Sequence, residues 1–340
     1  MSERILIVRM SAMGDVVQST PVARGLKAAM PDCHLTWLVQ QPFAPLLDHN
    51  PHIDETLVIP MRPTITEAVM AWRELKARDF TITIDLQCLL KSAIATWASG
   101  APRRIGKQEA REAALFAYNE LSPERWDQQY ISQRYLEQCQ PLGVSRDDFV
   151  PELFLIEDDF GPVDRLWEQE ALASRRPVVV MIPFSAEPRR EWPEQSFIEL
   201  ADKLTDRLGA RIIIPGTESE RERARALADQ MASPPIIFAG RTSVREAAAL
   251  LQRADLVIGG DSGLTHMAYA VHTPVVCIIG PSPVRNGPKG PLARSVYIED
   301  VPCRPCRPHR RCDHRRCMME VTPAMVLAAV EDLASSTGIP

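Results

Sequence analysis

Short apolar runs alternate with stretches whose apolar residues recur at helical spacing along almost the whole chain. In the first half Ile5–Val8, Leu35–Val39, Thr56–Ile59 and Phe80–Asp85 read as strands. A helical pattern from Val16 to Met30 lies between the first two. A helix is predicted over Thr66–Ala77, capped by Thr66 with Ala68, Val69, Trp72 and Leu75 turned to the core, and further helices over Leu89–Ala98 and Ile131–Cys139. Between Val150 and Pro177 the alternation lapses into a polar stretch with one helical segment, Val163–Ala173. It then restarts with strands at Val178–Ile182, Arg211–Pro215, Ile236–Phe238, Leu256–Gly259 and Val275–Ile279. Helices are expected between them at Gln195–Leu208, Glu218–Met231, Val244–Gln252 and Gly263–Val271, and a last helix from Thr322 to Leu333, with Thr322 as cap and Pro323 in its first turn.

Alternating strands and helices imply βαβ units and parallel sheets. The reading is therefore two doubly wound α/β domains facing each other: residues 1–160, a linker over 161–176, a second domain over 177–320, and a C-terminal helix and tail over 321–340. Ligands of such domains bind in a crevice outside the carboxyl ends of the strands.

Composition narrows the class. The 340 residues are 45% hydrophobic and 24% charged, and 39 Lys+Arg against 44 Asp+Glu give a net charge of −5, so no globally basic nucleic-acid binder is expected. The uncharged stretch Ser262–Val284 is interrupted by Pro274, Pro281 and Pro283, and Ile5–Val8 stops at Arg9, too short for a signal peptide. A cytoplasmic protein is expected. Cys33, Cys88, Cys139 and Cys277 are scattered singly, the habit of reduced thiols, whereas Cys303, Cys306, Cys312 and Cys317 form a cluster.

Three loops carry candidate chemistry. The first strand leads through Gly14 to Asp15 at the start of a helix, where the carboxylate is either an N-cap or a general base. Neither G-x-G-x-x-G nor G-x-x-x-x-G-K-[ST] occurs in the chain. The segment Gly259-Gly260-Asp261-Ser262-Gly263-Leu264-Thr265-His266 again joins strand to helix, and the N–H groups of Gly263, Leu264 and Thr265 form a site for an anion such as a diphosphate. Asp261 would repel that anion, so it is read as the cap or as an acceptor for sugar hydroxyls. His266 is a packed helix residue or a donor to phosphate. In Ser185-Ala186-Glu187-Pro188-Arg189-Arg190-Glu191-Trp192-Pro193, the arginines are either a solvated charge run or the cation for a leaving diphosphate.

Taken in order, the Gly14-Asp15 loop, Arg190-Glu191-Trp192-Pro193, Asp261-Ser262-Gly263-Leu264-Thr265-His266 and Gly280-Pro281-Ser282 resemble glycosyltransferase family 9, the ADP-heptose:lipopolysaccharide heptosyltransferases. The resemblance spans essentially the whole chain and implies a GT-B fold, two Rossmann-like domains with the donor held mainly by the second, and inversion at the anomeric carbon. Carried over, it makes Asp15 the general base, Arg190 the cation on the donor phosphates, and Gly263, Leu264 and His266 part of the diphosphate cradle. Asp261 would bind the heptose, and Gly216 with Glu220 or Glu222 the ribose. Gly14, Ser185 and Ser262 complete the expected donor contacts. Arg190 stands where the family usually has Lys, and Ser262 where it has Thr.

No D-x-D pair occurs, so cation and helix terminus are expected to serve the diphosphate without a catalytic metal. On the acceptor side the resemblance points to Gln87, Lys91, Arg103 and Arg104, facing an anionic core oligosaccharide. The spacing Cys303-x2-Cys306-x5-Cys312-x4-Cys317 reads as a structural zinc or iron knuckle with His309 and His314 as spare ligands, or as a basic loop with fortuitous thiols. Arg304, Arg307, Arg310, Arg311, Arg315 and Arg316 make the block around it basic enough for anionic lipid heads at the inner face of the cytoplasmic membrane, or for a phosphorylated acceptor. The expected function is heptose transfer from ADP-heptose to lipopolysaccharide inner core. The alternatives are another nucleotide sugar, a protein acceptor, or a non-catalytic or epimerase-like sugar-nucleotide binder.

Overall fold

The computed structural model describes residues 2–122, 130–174, 177–306, 312 and 314–339. The chain divides into two compact units, Met1–Phe154 and Leu155–Pro340. The helix Gly161–Gln169 and the C-terminal helix both pack within the second.

In the first unit the elements run β1 (Arg4–Val8), α1 (Met13–Ser19), α2 (Pro21–Ala29), β2 (His34–Gln40), β3 (Glu55–Ile59), α3 (Ile65–Lys76), β4 (Ile82–Asp85), α4 (Leu90–Ala98), β5 (Arg103–Lys107), β6 (Glu120–Ser122) and α5 (Ile131–Gln138). All six strands are parallel, in the order β3-β2-β1-β4-β5-β6. Ile5, Leu6, Ile7 and Val8 are fully buried, as expected of a central parallel strand covered on both faces.

The second unit continues with α6 (Gly161–Gln169), β7 (Val178–Ile182), α7 (Glu194–Leu208), β8 (Arg211–Ile214), α8 (Arg221–Ala228), β9 (Ile236–Ile237), α9 (Val244–Arg253), β10 (Leu256–Gly260), α10 (Gly263–Ala270), β11 (Val275–Ile278), β12 (Ala293–Val296), α11 (Arg316–Met319) and α12 (Pro323–Thr337). Its order, β12-β11-β10-β7-β8-β9, is that of the first sheet counted from its own first strand, and again all parallel. Thr322 caps α12 by accepting the Met325 N–H, with Pro323 in the first turn, as the sequence predicts.

Both sheets have the doubly wound topology, in which the order of strand addition reverses between the first and fourth strands while all strands stay parallel. Those switch points lie between β1 and β4 and between β7 and β10, so the loops after these strands are the places for ligands.

Several elements differ from expectation. The single helix over 16–30 is two, because Pro21 has no N–H to continue the first and opens the second. Thr64 rather than Thr66 caps α3: its hydroxyl accepts from Glu67 N–H at 3.3 Å while Glu67 accepts from Thr64 N–H at 2.7 Å, a reciprocal pair that Thr66 cannot make. Of the four α3 residues expected inward, only Leu75 is buried. Strands β5, β6 and β12 escape the hydrophobic pattern because they are short and carry Arg103, Arg104, Glu120 and Arg294.

Candidate active site

In the first unit a cluster of polar side chains surrounds the loop after β1. Arg9 is buried and turns back across the sheet edge, donating from Nη1 to the Leu86 carbonyl at 3.0 Å. Its Nη2 meets Asp15 Oδ1 at 2.6 Å, and its guanidinium lies 5.1 Å from the centre of the Tyr135 ring. Burial opposes the charge of Arg9, but Tyr135, Asp15 and Asp85 outweigh it and raise its pKa above the ordinary arginine value. The Tyr135 hydroxyl donates to Asp15 Oδ1 at 3.3 Å. Asp15 is therefore oriented from behind, yet its side chain remains 44% exposed and open to an incoming hydroxyl.

The cap reading of Asp15 is corrected by the backbone. Ala12 occupies the N-cap position of α1 and Asp15 sits three residues later, its Oδ2 accepting from the Ala12 N–H at 3.4 Å.

Two of the expected acceptor residues gather at the same loop. Lys91 Nζ donates to Ser11 Oγ at 2.7 Å, and Gln87 Nε2 does so at 3.3 Å while Gln87 Oε1 accepts from the Met10 N–H at 3.1 Å. Burial and the neighbouring Arg9 charge hold Lys91 below the usual lysine value. Beneath them Asp85, fully buried at the end of β4, accepts from the N–H groups of Gln87 and Cys88 and from the Tyr118 hydroxyl at 2.7 Å. Its burial raises its own pKa, and burial with the nearby carboxylate pushes the Cys88 thiol up to about 12.

Arg103 and Arg104 are not brought there. They open β5, at the end of the parallel sheet opposite the loops that hold Asp15 and Lys91. Arg103 pairs with Glu120 at 2.7 Å, and Arg104 donates to the carbonyls of Ala117 and Ala101. The cation at the site end of that strand is Lys107, whose pKa burial lowers.

In the second unit a cluster lies after β7 and β10. Glu191 is buried, accepts from the Ser185 N–H at 3.0 Å and pairs with Arg223 at 2.8 Å. Arg223 also lies over the Phe184 ring, and its pKa is raised chiefly by hydrogen bonding to Glu191. Trp192 is fixed below by donating Nε1 to the Val321 carbonyl at 2.8 Å. The loop between these anchors presents Arg190, whose Nη1 lies 3.2 Å from both the Asp261 carbonyl and Asp261 Oδ2. A Cβ on Gly260 would stand 2.8 Å from the Arg190 carbonyl oxygen, so only glycine lets this loop lie against the end of β10.

Asp261 is buried, with His266 Nε2 at 2.9 Å from Oδ1. Burial disfavours its charge, but His266 and then Arg190 prevail and hold the carboxyl well below the usual carboxylate range. It is not the helix cap: Ser262 takes that position, with its hydroxyl 3.0 Å from Thr265 Oγ1 and not on the backbone of α10. The first-turn N–H groups of Gly263, Leu264 and Thr265 thus receive no side-chain cap. Gly216 follows β8, and Glu220 beside it accepts from the Thr217 N–H at 2.7 Å. Glu222 is exposed and pairs with Arg225, a solvent-side arrangement.

The cysteine cluster packs against the loops of the second unit that carry Glu191 and Gly280. Arg304 donates to the Gly280 carbonyl, Cys306 N–H to the Pro281 carbonyl at 2.9 Å, and Arg315 to the Glu191 carbonyl at 2.5 Å. Burial raises the Cys306 and Cys317 thiols, and neighbouring cluster thiols raise them further. Among the described residues no three His, Cys, Asp or Glu side chains are set as a metal-ligand group. Arg307, His309, Arg310 and Arg311 lie outside the described residues. Among the described residues no helix is long and apolar enough to cross a membrane.

Sequence reasoning missed Arg9, Tyr135, and the Glu191–Arg223 pair. Arg9 had a signal, a cation ending an otherwise apolar central strand.

Comparison with known proteins agrees with this architecture. The profile of glycosyltransferase family 9 (heptosyltransferase) matches residues 69–316. Lipopolysaccharide heptosyltransferase 1 of Pseudomonas aeruginosa strain PAO1 is 30% identical, over 89% of this chain and 86% of its own. A glycosyl transferase family 9 structure from Veillonella parvula aligns with a TM-score of 0.85 at 22% identity, covering 98% of each chain. An Escherichia coli heptosyltransferase with ADP-2-deoxy-2-fluoro heptose aligns with 0.70 at 23%, covering 97% of this chain and 99% of that one. Sheet order and structural neighbours define the GT-B fold, two Rossmann-like domains. More narrowly, the chain belongs to glycosyltransferase family 9.

Proposed function

We propose that this enzyme moves heptose from ADP-heptose to an inner-core sugar of lipopolysaccharide, with inversion and without a catalytic metal. The observation that carries the reading is Asp15, half-exposed in the first turn of α1, after the loop that follows β1, and held from behind by a buried arginine. Asp15 takes the proton of the acceptor hydroxyl as its oxygen bonds to the anomeric carbon on the face opposite ADP. The bond from that carbon to the ADP oxygen breaks, and its electron pair leaves with ADP. Arg190 and the uncapped N–H groups of α10 receive the charge developing on the diphosphate, the role a divalent ion plays elsewhere. Gln87 and Lys91 orient the acceptor from the Ser11 loop. Ser185, Gly216, Glu220 and Asp261 position the donor, Asp261 through the pinned Arg190 as well as by accepting from the sugar. The relatives' names support this donor and acceptor. A cytoplasmic location with peripheral contact at the inner membrane face is part of the same proposal.

The test is ADP release from ADP-heptose, run beside UDP- and GDP-sugars, with and without extracted core acceptor. Release is expected only from ADP-heptose, to depend on acceptor, and not to rise with added Mg²⁺. Equal release from a UDP- or GDP-sugar overturns the reading.

The four sulfurs of Cys303, Cys306, Cys312 and Cys317, at metal-knuckle spacing, are of the kind that suits zinc or iron. We propose a structural ion there, buttressing the Arg190 loop through Arg315. Metal analysis of untagged protein is expected to find one zinc or iron per chain. Protein with no stoichiometric ion and four freely titratable thiols overturns it.

A further inference from the structure

Helices α3 and α4 are built the wrong way round for a soluble surface. Among the residues of α3 only Leu75 is buried, and α4 turns inward Ser92, Ala93, Thr96 and Ala98, all small or hydroxylated. Their large apolar side chains point outward. On α3, Ile65, Val69 and Trp72 follow one another at i, i+4 and i+7 and so share one stripe, with Ile65 86% exposed. On α4, Leu90, Ile94 and Trp97 repeat that spacing, with Trp97 56% exposed. The two helices pack against each other, and α4 packs against the turn Ala114–Ala117, which adds exposed Phe116. Single exposed apolar residues are ordinary, but two aligned stripes on adjoining helices are not.

We propose that this face of the first unit docks on an anionic lipid bilayer. The charges around the stripes select that occupant. Arg62, Arg73 and Lys76 stand beside the α3 stripe with no ion-pair partner among the described residues. The acids nearby are committed elsewhere: Glu67 to the Thr64 cap, Glu74 to Arg78 at 3.0 Å, and Glu112 to the Leu90 N–H at 3.2 Å. What faces outward is apolar with a net positive charge, Arg62, Arg73, Lys76 and Arg78 against Glu67 and Glu74 over residues 62–78, and with two tryptophans, the composition that settles at a headgroup boundary above anionic lipid. A second copy fits less well, since two-fold pairing through this face would bring the same unpaired cations together.

The proposal rests on the reading above, in which the acceptor is borne on a lipid. Helix α4 links the two: Lys91 in its first turn reaches Ser11 at the candidate acceptor site, while its neighbours Leu90 and Ile94 face outward. An acceptor rooted in the bilayer would arrive beside that site.

The experiment uses the full chain in vesicle flotation, with phosphatidylethanolamine–phosphatidylglycerol vesicles against phosphatidylcholine alone. Wild type is expected to float with the anionic vesicles. A Trp72→Ser, Ile94→Ser, Trp97→Ser variant is expected to bind at least about tenfold less, and Arg73→Glu with Lys76→Glu to lose the preference for anionic lipid. Both variants are expected to melt as wild type and to release ADP at the wild-type rate with a deacylated, water-soluble acceptor. That last assay separates the two readings: if wild type releases no ADP, the function proposed above fails while flotation still decides the docking face. Wild type remaining unbound, or the triple variant floating undiminished, overturns the proposal. So does a wild-type dimer in sedimentation that the triple variant turns to monomer, because the occupant is then a second copy.

Discussion

Replacing Asp15 by Asn lowers turnover by roughly 10²–10⁴-fold, while donor affinity and thermal unfolding stay near wild type. The magnitude is that of losing a general base, which acts only when the acceptor hydroxyl attacks and contributes nothing to holding the donor. Asn is the informative substitution because its carbonyl oxygen can still accept from Arg9 Nη2 and the Tyr135 hydroxyl, which share Oδ1, so the buried guanidinium keeps a partner and only the long contact from the Ala12 N–H to Oδ2 is given up. Alanine would leave Arg9 with the Leu86 carbonyl and add a stability loss to the kinetic one. Calorimetry reports donor binding, thermal melting reports the fold, and ADP release with acceptor reports the rate. An Asp15→Asn protein that melts and binds normally and turns over near the wild-type rate shows that the base lies elsewhere and that Asp15 serves only the first turn of α1.

Arg190→Ala is expected to weaken both donor binding and turnover. One charge-assisted hydrogen bond contributes roughly 1.5–3 kcal/mol, so removing a single contact to diphosphate costs about 10- to 150-fold in kcat/KM, and removing two costs more. The substitution also takes a cation from Asp261, which then keeps only His266 opposite a buried carboxylate, so a lower melting temperature accompanies the kinetic loss. Arg190→Lys separates the two effects. It retains the charge near Asp261 and the phosphates but gives up the planar fork, and should recover most of the stability and part of the rate. Unchanged kcat/KM in Arg190→Ala removes this residue from the leaving-group role, and the helix start at Gly263 must then act alone.

Much of the fold was legible along the chain. The apolar runs of β1 and β7, the Thr322-Pro323 start of α12 and the glycines ending β10 are each decided by a few neighbouring residues whose backbone preferences agree. The loops carrying Asp15, Arg190 and Asp261 were legible for the same reason, because strand, loop and helix follow one another without interruption. Less legible were β5 and β6, where charged residues with partners across the sheet interrupt the apolar signal, as in Arg103 with Glu120. The outward stripes of α3 show the limit from the other side: periodicity says that residues share a face, but not which face meets the core.

The sequence by itself determined the alternation of elements, the two repeats of one topology, and the residue types delivered to the strand ends, since all of these follow from local propensity and period. Only the tertiary structure decided the partners. Arg9 meets the Leu86 carbonyl because β1 and β4 are neighbours in the sheet, although far apart in the chain. Tyr135 reaches Asp15 across 120 positions because α5 packs on α1. Lys91 joins the site and Arg103 does not because Lys91 follows the carboxyl end of β4, at the start of α4, whereas Arg103 opens the neighbouring parallel strand β5 at its other end. A buried charge takes whatever partner the strand order places within reach, and strand order is set by the packing of the whole sheet.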